Sequence, residues 1–450
     1  MALRRPIEAK EGVSIRHNLW HTRLMPPFPL HPQRDRLVGE LHARPLAPLA
    51  TPVTLSRLAM LAGAGTDRAA DIAHLATLCR LHGVNEPAAE AIHFSADFGA
   101  FQLRYERHTE FTGWTFLMPL QPAAPGQNPF DDTAIEALPR DWLSALPGLA
   151  IAAFHIALIP EPADGEPRFA GLPAEGLAGS AIAGGAGLVG TDFRIHPDGF
   201  ARILVLDGGL GPAQAGRIAQ TLWEIETYRM MALLALPIAR GAAPQLSEAS
   251  ERLSALATKA RGSGGLSDDR AALAELSDLA TGIEQMAATT AERFSAAEAY
   301  RTLVAQRLDA LGEVPIPGLP TMREFLNRRL DPAIATVAAT GTRIARLSIR
   351  CARAVDLLRA RVAVAQEAQT QTLLAAMADT GRAQLRLQET VEGLSVAGIS
   401  YYLVTLAGYA LKPLQNSQPH LVDAALSLMV PVVAAMVWLW MRRRQRRSAR

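Results

Sequence analysis

Residues 393–411 read GLSVAGISYYLVTLAGYAL and residues 424–441 read AALSLMVPVVAAMVWLWM, and neither run contains a charged side chain. At 1.5 Å of rise per residue, about 18 to 20 apolar residues in a helix cross roughly 30 Å of hydrocarbon. Each run reaches that length. The sequence therefore predicts two membrane-spanning helices, joined as a hairpin by the polar segment 412–423.

The residues that flank the two runs predict an orientation. Six arginines follow the second run: Arg442, Arg443, Arg444, Arg446, Arg447 and Arg450. Arg382 and Arg386 precede the first run, whereas the only basic residue of the link is Lys412, apart from a histidine. Because basic residues are enriched on the cytoplasmic side of membrane helices, both termini are expected in the cytoplasm. The alternative is a buried helical hairpin in a soluble core, and the basic flanks argue against it.

The composition limits the class of protein. The chain of 450 residues is 49% hydrophobic but only 6% aromatic, and its formal net charge is +2. Bulk charge this small gives no reason to expect a nucleic-acid partner. Cys79 and Cys351 are the only cysteines, so no disulfide framework is expected, and a reducing compartment fits. The N-terminal residues contain charges without an apolar core behind them, so no signal peptide is expected.

The N-terminal half divides into two parts. Residues 1–50 are rich in proline and histidine, which predicts an extended segment rather than a helix. Residues 51–240 mix strand-like alternation with helical periodicity, which predicts a cytoplasmic α+β domain. Val53–Leu61 is typical of a strand. TDFRIH (191–196) and FARILVLD (200–207), joined by a Pro-Asp-Gly turn, predict a β-hairpin.

Residues 241–392 contain no strand pattern and predict helical arms and a stalk. Apolar positions spaced by three and four residues continue for about five heptads, as in a coiled coil. These positions are Leu276, Ala280, Ile283, Ala287, Thr290, Phe294, Ala297, Val304, Leu308 and Leu311. Thr321 with Glu324 forms a capping-box pattern, and Asp331 followed by Pro332 predicts a new helix start.

These patterns together predict the architecture of the whole chain. The fold class is an α+β N-terminal domain followed by long antiparallel helical (coiled-coil) arms and a C-terminal two-helix transmembrane hairpin. The hairpin occupies residues 393–441, and a basic cytoplasmic tail occupies residues 442–450. The stalk helix is expected to run without a break into the first span.

One group of polar residues has the composition of a catalytic site. Glu106, Arg107 and His108 place an acid, a cation and a base at the end of a predicted strand. A second group comes from the N-terminal segment: Glu40, His42 and Arg44. If that segment folds back beside the strand, the two groups would suit general acid–base chemistry or a divalent cation. An ion-paired sheet edge explains Glu106 and its neighbours equally well.

Two further patterns concern metals and cofactors. His17 and His21 are four residues apart, which on a helix places both imidazoles on one face, and His31 follows closely. The alternative is that they are surface or core histidines. Gly185, Gly187 and Gly190 match G-x-G-x-x-G, but a strand pattern follows where a dinucleotide site needs a helix. A glycine-rich strand or turn is therefore predicted, and no cofactor is assigned.

Four phrases of the sequence resemble a known family. They are HPQRDRLVGELHARP (31–45), ERHTEF (106–111), TDFRIHPDGFARILVLD (191–207) and GRIAQTLWEIETYRMMALLALPIAR (216–240). The resemblance is to the bacterial family DUF3422, predicted membrane-anchored proteins of unknown function, and it extends over nearly the whole chain. It implies attachment to a bacterial inner membrane and no particular activity, so no catalytic residue is transferred from it.

In layout alone the chain also resembles the CorA-type magnesium transporters. That family combines a cytoplasmic α/β domain, helical arms, a stalk helix entering the first of two C-terminal spans, and a basic tail. It has Gly-Met-Asn at the outer end of the first span, whereas residues 408–420 read GYALKPLQNSQPH. The resemblance is therefore one of architecture.

The leading hypothesis is a non-enzymatic, oligomeric inner-membrane protein that couples its α+β domain through the stalk to the two-span hairpin. Small residues at Ala397, Gly398, Ala407 and Gly408 would let spans pack closely. The expected partners are the lipid bilayer, further copies of the chain, and a cation or small ligand. CorA-like ion transport or sensing is the most specific version. The alternatives are a membrane-tethered enzyme that uses the histidine, glutamate and arginine residues above, and a passive scaffold.

Overall fold

The computed structural model describes residues 31–34, 37–38, 48–61, 68–120, 128–162, 168–262, 265–415 and 419–448. Contacts divide the chain into two compact units. The sheet unit comprises Met1–Ser247 and Gln285–Ala345, and the helical unit comprises Glu248–Glu284 and Arg346–Arg450. Each unit is discontinuous in sequence because three long helices contribute residues to both.

The described part of the sheet unit contains a nine-stranded sheet. Its strands are β1 Val53–Leu61, β2 His93–Asp97, β3 Gln102–Arg107, β4 Phe111–Pro119, β5 Leu149–Pro160, β6 Ala178–Ile182, β7 Gly187–Thr191, β8 Ala201–Asp207 and β9 Val314–Pro315. They lie in the order β2-β3-β4-β1-β5-β8-β7-β6-β9. Neighbours are antiparallel except β5 and β8, which are parallel. The α+β class predicted for this part of the chain is confirmed.

Helices make up most of the rest of the described chain. They are α1 Arg68–His82, α2 Arg140–Ser144, α3 Pro212–Leu233, α4 Ala235–Gly262, α5 Leu266–Leu311, α6 Met322–Gln415 and α7 Pro419–Ser448. Two short 3-10 helices occupy Ala134–Ala137 and Ala183–Gly185. The long helices follow the sheet in sequence, as predicted.

Strand β1 lies at the centre of the sheet, and both of its faces are buried. It occupies the residues predicted for it and pairs with β4 on one side and β5 on the other. Leu55 and Ala59 pack in one core cluster, whereas Leu58 and Met60 pack in another. Alternate residues of a strand point to opposite faces, so the sheet has a core on each side.

Helices pack against each face of the sheet and complete its core. On one face, Leu75 and Cys79 of α1 are fully buried beside Trp114 of β4. On the other face, Leu222 of α3 packs in a cluster that includes Leu326 of α6. Burying one such leucine side chain stabilises the fold by about 2 kcal/mol.

Helix α6 begins at the predicted capping box. The backbone N–H of Glu324 donates to Thr321 Oγ1 (3.1 Å), and the N–H of Thr321 donates to Glu324 Oε2 (3.2 Å). The Glu313 carboxylate accepts a further bond from the N–H of Met322 (2.9 Å). A carboxylate at this end of a helix also interacts favourably with the helix dipole. Local hydrogen bonds therefore define the start of α6.

The prediction of a second helix start at Asp331-Pro332 was wrong, because α6 continues through both residues. Asp331 does not cap a helix and instead accepts a hydrogen bond from Arg301 Nη2 (2.8 Å). Buried Leu330 and Ile334 pack in the core beside the proline. This packing holds the helix together at a residue that cannot donate a backbone hydrogen bond.

Helices α5 and α6 pack with opposite directions in both units. In the sheet unit, a Cβ added at Gly341 would lie 3.3 Å from the ring of Phe294. In the helical unit, the Cys351 thiol contacts the Leu276 carbonyl (3.6 Å). Residue numbers rise along one helix as they fall along the other. In the predicted seam, the residues that follow Leu276 at intervals of seven are all buried, as Leu276 is: Ile283, Thr290, Ala297, Val304 and Leu311. The coiled-coil geometry itself stays a prediction.

The two charge-free runs lie in helices. In the described residues, one helix is long and apolar enough to cross a membrane. It lies within α6, and its most apolar 18 residues have a mean hydropathy of 1.2 with only 6% buried. Helix α7 contains a shorter apolar stretch, Ser427–Trp440. One groove is lined by Val404 and Gly408 of α6 and by Ser427 and Val430 of α7, so the two stretches lie side by side.

Candidate functional site

The structure describes only part of the predicted sites. Five predicted residues lie outside the described residues: His17, His21, Glu40, His42 and Arg44. His31 is exposed in a turn, where its Nδ1 accepts a hydrogen bond from the N–H of Gln33 (3.2 Å). Among the residues described, no group of three or more His, Cys, Asp or Glu residues is arranged to hold a metal ion. Among the described residues, therefore, His31 has no partners with which it could hold a metal ion.

Glu106 of β3 is buried between two arginines, Arg57 of β1 and Arg104 of β3. Its Oε2 accepts a hydrogen bond from Arg57 Nη1 (3.1 Å), and its Oε1 lies 3.6 Å from Arg104 Nη2. The indole of Trp223 from α3 covers both guanidinium groups, at 4.9 and 5.8 Å from its centroid. Burial raises the pKa of Glu106, and the arginine charges more than reverse this, so the pKa lies below its usual value. Glu106 is therefore an ionised member of an internal ion pair.

Arg107 does not line the space beside Glu106, whereas His108 does, and the charge of His108 helps to lower the pKa of Glu106. Strand β3 ends at Arg107, whose Nη2 donates to the Glu90 carbonyl (3.4 Å). His108 lies in the turn that follows, where its ring stacks on Phe111 at 4.3 Å. Although strand β3 ends at Arg107, Glu106 and His108 line the same space.

The space beside Glu106 and His108 is too small for a substrate. Its volume is about 10 Å³. A space of that size holds about one water molecule. For the described residues, the geometry favours the ion-paired interpretation of this motif over the catalytic one.

A buried serine and a buried histidine lie in line with an exposed aspartate elsewhere in the sheet unit. Ser56 Oγ is 2.8 Å from His155 Nδ1, and His155 Nε2 is 3.9 Å from Asp198 Oδ2. Burial is the largest influence on His155 and lowers its pKa from 6.5 to about 4. Ser56 is fully buried and accepts a hydrogen bond from the N–H of Ile135 (3.1 Å). The residue types match a hydrolase triad, but no substrate can reach the serine.

A cleft of about 420 Å³ opens on the same unit, at a place that the sequence did not predict. Its lining residues are Gly176, Asp192, Phe193, Arg194, Arg229, Leu233, Phe325, Leu326, Arg329 and Leu330. They come from the segment before β6, the β7–β8 loop, α3 and the first turns of α6. We call this site the arginine cleft.

Two phenylalanines and two arginines of the arginine cleft form a stacked column. The rings of Phe193 and Phe325 are 4.5 Å apart and inclined by 19°. The guanidinium of Arg229 lies 5.2 Å from the Phe193 centroid, and that of Arg329 lies 3.9 Å from the Phe325 centroid. Stacking on a ring uses the flat face of a guanidinium and leaves its in-plane N–H donors available.

The backbone at Phe193 is in an unusual conformation. Its φ is +53°, a left-handed value that costs a non-glycine residue about 1–3 kcal/mol. Neighbouring hydrogen bonds hold it there: the N–H of Phe193 donates to Thr191 Oγ1 (3.2 Å), and the N–H of Arg194 donates to Asp192 Oδ1 (3.2 Å). Asp192 Oδ2 lies 3.1 Å from His196 Nε2. The strand predicted at 191–196 therefore ends at Thr191, while the predicted Pro-Asp-Gly turn is present.

The three arginines of the arginine cleft differ in how they are paired. Arg229 is held by Glu226 through two hydrogen bonds, from its Nε and its Nη2. Arg194 pairs with Glu175 (3.2 Å), whose side chain is 85% exposed. Within the described residues, Arg329 has neither an acidic partner nor a hydrogen bond from its side chain. The cleft thus presents donors that its own acidic residues only partly use.

One signal in the sequence pointed towards this cleft. Arg229 lies on the same helix face as Ile218, Leu222 and Ile225, and this face is otherwise apolar. A charge on an apolar face suggests a partner or a ligand. Arg329 and Phe193 gave no comparable signal, because neither the stacking nor the left-handed backbone can be recognised in sequence.

Comparison with curated proteins and with solved structures finds no match to either. The family model described as "Protein of unknown function (DUF3422)" matches residues 29–448. The match includes the arginine cleft, the long helices and both apolar stretches. It confirms the resemblance found in the sequence: the chain belongs to the family of proteins of unknown function DUF3422.

Proposed function

We propose that this chain is a membrane-anchored, self-associating, non-enzymatic binding protein. Its sheet unit binds a ligand in the arginine cleft, and α6 couples that site to a two-span hairpin in the bilayer. One observation carries the proposal: α6 is a single helix from Met322 to Gln415. Its first turns supply Phe325 and Arg329 to the cleft, and its last turns contain the apolar stretch.

Exposure of the apolar stretch supports membrane anchoring. Leu394 is 75% exposed and Leu406 is 67% exposed, and in α7 Leu428 is 71% exposed. The core helix of a soluble protein would bury such side chains, whereas only 6% of this stretch is buried. Patches of this kind are typical of surfaces covered by lipid or by another chain. We propose that lipid covers most of the exposed apolar surface of α6 and α7.

The second span is the weaker part of the hairpin. Ser427–Trp440 would extend only about 21 Å as a helix, less than the thickness of the hydrocarbon. Trp438 and Trp440 lie at its end, where aromatic side chains suit a membrane interface, and Arg443 follows. The proposal places that end and the N-terminus in the cytoplasm.

Small residues support self-association. A Cβ added at Gly393 or at Gly398 would meet no atom within 4 Å. Open glycine faces on a membrane helix allow a second helix to approach closely. A CorA-like ion path would require at least about four copies, because two spans cannot enclose a pore. The number of copies in mild detergent, measured by light scattering, tests that version, and a monomer would eliminate it.

Extraction of membranes with alkaline carbonate tests the anchoring. We expect the full-length chain to stay in the membrane fraction. Replacing Leu403 and Leu406 by lysine should release it, since each lysine costs about 3 kcal/mol at the centre of a span. The matched control replaces Leu374 and Met377, which are also exposed on α6 but lie before the apolar stretch. A wild-type chain in the soluble fraction would contradict the proposal.

The passive-scaffold alternative predicts that the arginine cleft binds nothing. The enzyme alternative predicts loss of an activity on replacing Glu106 or His108, and the space of about 10 Å³ beside them gives it no support among the described residues. Ligand binding to the cleft therefore separates the proposed function from both alternatives.

A further inference from the structure

We infer that the ligand of the arginine cleft is a small organic phosphate: a phosphate monoester joined to a planar apolar group. This inference rests on the proposed function only in taking the arginine cleft as the binding site. It does not depend on whether the apolar stretches enter a membrane.

The charge of the arginine cleft matches a doubly charged anion. Arg194, Arg229 and Arg329 line it together with one carboxylate, Asp192. The side chain of Asp192 is fully buried and turned towards His196, so the charge presented to a ligand is positive. A phosphate monoester bears a charge of about −1.5 to −2 at pH 7. Arg229 is already neutralised by Glu226, so the charge for the ligand comes from Arg329 and from Arg194, once Arg194 exchanges the exposed Glu175 for the ligand. A single carboxylate would neutralise only half of that charge.

The available donors suit phosphate oxygens. Arg329 stacks on Phe325 at 3.9 Å, which fixes the plane of its guanidinium without using any N–H group. The bonds of Arg229 to Glu226 use Nε and Nη2, and its Nη1 has no hydrogen-bond partner among the described residues. Planar guanidinium groups held in place in this way bind phosphate oxygens through two parallel hydrogen bonds. The pairing of Arg194 with the exposed Glu175 is weak enough to be exchanged for a ligand.

The remaining lining of the arginine cleft suits a flat apolar group. Leu326 and Leu330 are buried, and Leu233 is half-buried beside them. The edges of Phe193 and Phe325 complete an apolar wall. A volume of about 420 Å³ lies within the range of roughly 300–1,000 Å³ found for small-molecule sites. Inorganic phosphate would leave most of this wall in contact with water.

The conformation of the β7–β8 loop gives independent support. The left-handed Phe193 is held by hydrogen bonds on both sides, although a glycine would adopt this conformation without strain. Strained residues that the surroundings hold in place are concentrated at ligand-binding sites. Here the strain places one aromatic ring between Arg229 and Phe325.

Isothermal titration of the full-length chain in phosphatidylcholine nanodiscs, with phenyl phosphate as the probe, tests the inference. Phenyl phosphate should bind at least tenfold more tightly than inorganic phosphate or benzoate, and benzyl alcohol should not bind. Arg329→Gln should weaken binding about tenfold to a hundredfold, as expected for loss of a charged hydrogen-bond donor. The affinity of Arg329→Lys for phenyl phosphate should lie between those of the wild type and Arg329→Gln. Arg328→Gln, an exposed neighbour outside the cleft, should bind like the wild type within twofold.

The outcomes separate this inference from the proposed function. Equal binding by the Arg329→Gln and Arg328→Gln variants, or no binding of phenyl phosphate at all, would overturn the inference and leave membrane anchoring standing. Binding by a chain that carbonate releases from membranes would overturn the anchoring and leave the ligand class standing. If phosphatidic acid in the nanodisc competes with phenyl phosphate, the phosphate comes from a lipid head group; if it does not, the ligand is soluble. Matching circular dichroism of the variants excludes misfolding as the cause.

Discussion

Lowering the pH from 7 to 5 should weaken the centre of the sheet, because His155 is buried there as a neutral imidazole. It is 1% exposed, and its ring stacks on Phe200 at 4.1 Å. Burial lowers its pKa from 6.5 to about 4; Asp198 opposes the shift, and Arg202 and His196 add to it. A protonated imidazole therefore has little compensation in the folded sheet.

The sign and size of the effect follow from the two pKa values. Between pH 6.5 and about 4, the unfolded chain binds a proton that the folded chain does not, so stability falls as the pH falls. The contribution is fully present above pH 6.5. At pH 5 the loss amounts to about 2 kcal/mol, since each unit corresponds to about 1.4 kcal/mol.

Hydrogen exchange of the full-length chain measures this loss locally. Amides of β1 and β5 flank His155, and their protection should fall about thirtyfold from pH 7 to pH 5, after correction for intrinsic exchange. His155→Asn keeps a polar group near Ser56 but cannot titrate. The protection of this variant should change much less with pH. A small change should remain, because burial also lowers the pKa of the half-buried His74. His93→Asn, at an exposed position of β2, should behave like the wild type.

The reasoning would be refuted if His155→Asn lost as much protection between pH 7 and pH 5 as the wild type does. It would also fail if the loss in the wild type were confined to strands far from His155, such as β2. Either result would mean that the imidazole is already charged in the fold, or that another group controls the stability of the sheet in this pH range.

Three substitutions test other parts of the structure. Glu106→Gln should lower the free energy of unfolding by about 3–5 kcal/mol in chemical denaturation, because it leaves the buried Arg57 and the partly buried Arg104 without their counter-charge. Thr321→Ala should cost about 1 kcal/mol and increase hydrogen exchange in the first turn of α6 only. Gly190→Ala should cost about 1–3 kcal/mol in thermal unfolding, since its Cβ would lie 2.5 Å from the ring of Phe169. Gly282→Ala, with open space around it in α5, should be neutral or stabilising, and a loss there as large as at Gly190 would contradict the packing argument.

Local features of the fold were predictable because they depend on neighbouring residues. Val53–Leu61 is a strand at the predicted bounds, and Thr321 with Glu324 makes the predicted reciprocal hydrogen bonds. Asp331-Pro332 and residues 191–196 were mispredicted, because core packing carries α6 past the proline and a left-handed Phe193 ends the strand. Neither cause lies within the few residues that a local pattern considers.

The candidate site was the least predictable feature. Glu106 and His108 were predicted as an acid and a base, but Glu106 is a buried ion-pair member and the space that the two residues line is too small for a substrate. The arginine cleft joins Phe193, Arg229 and Arg329, which are far apart in the chain and brought together only by the packing of α3 and α6 against the sheet. Unpaired donors and stacked rings are properties of that packing.

By itself, the sequence determined the α+β class, the long helices and two stretches without charge, because periodicity and the lack of charged side chains are properties of neighbouring residues. Only the tertiary structure decided that the described residues leave the apolar stretch of α6 exposed, and that the first turns of α6 complete an arginine-lined cleft. Exposure and the convergence of distant charges depend on which surfaces pack together, and a linear pattern of residue types does not contain that information.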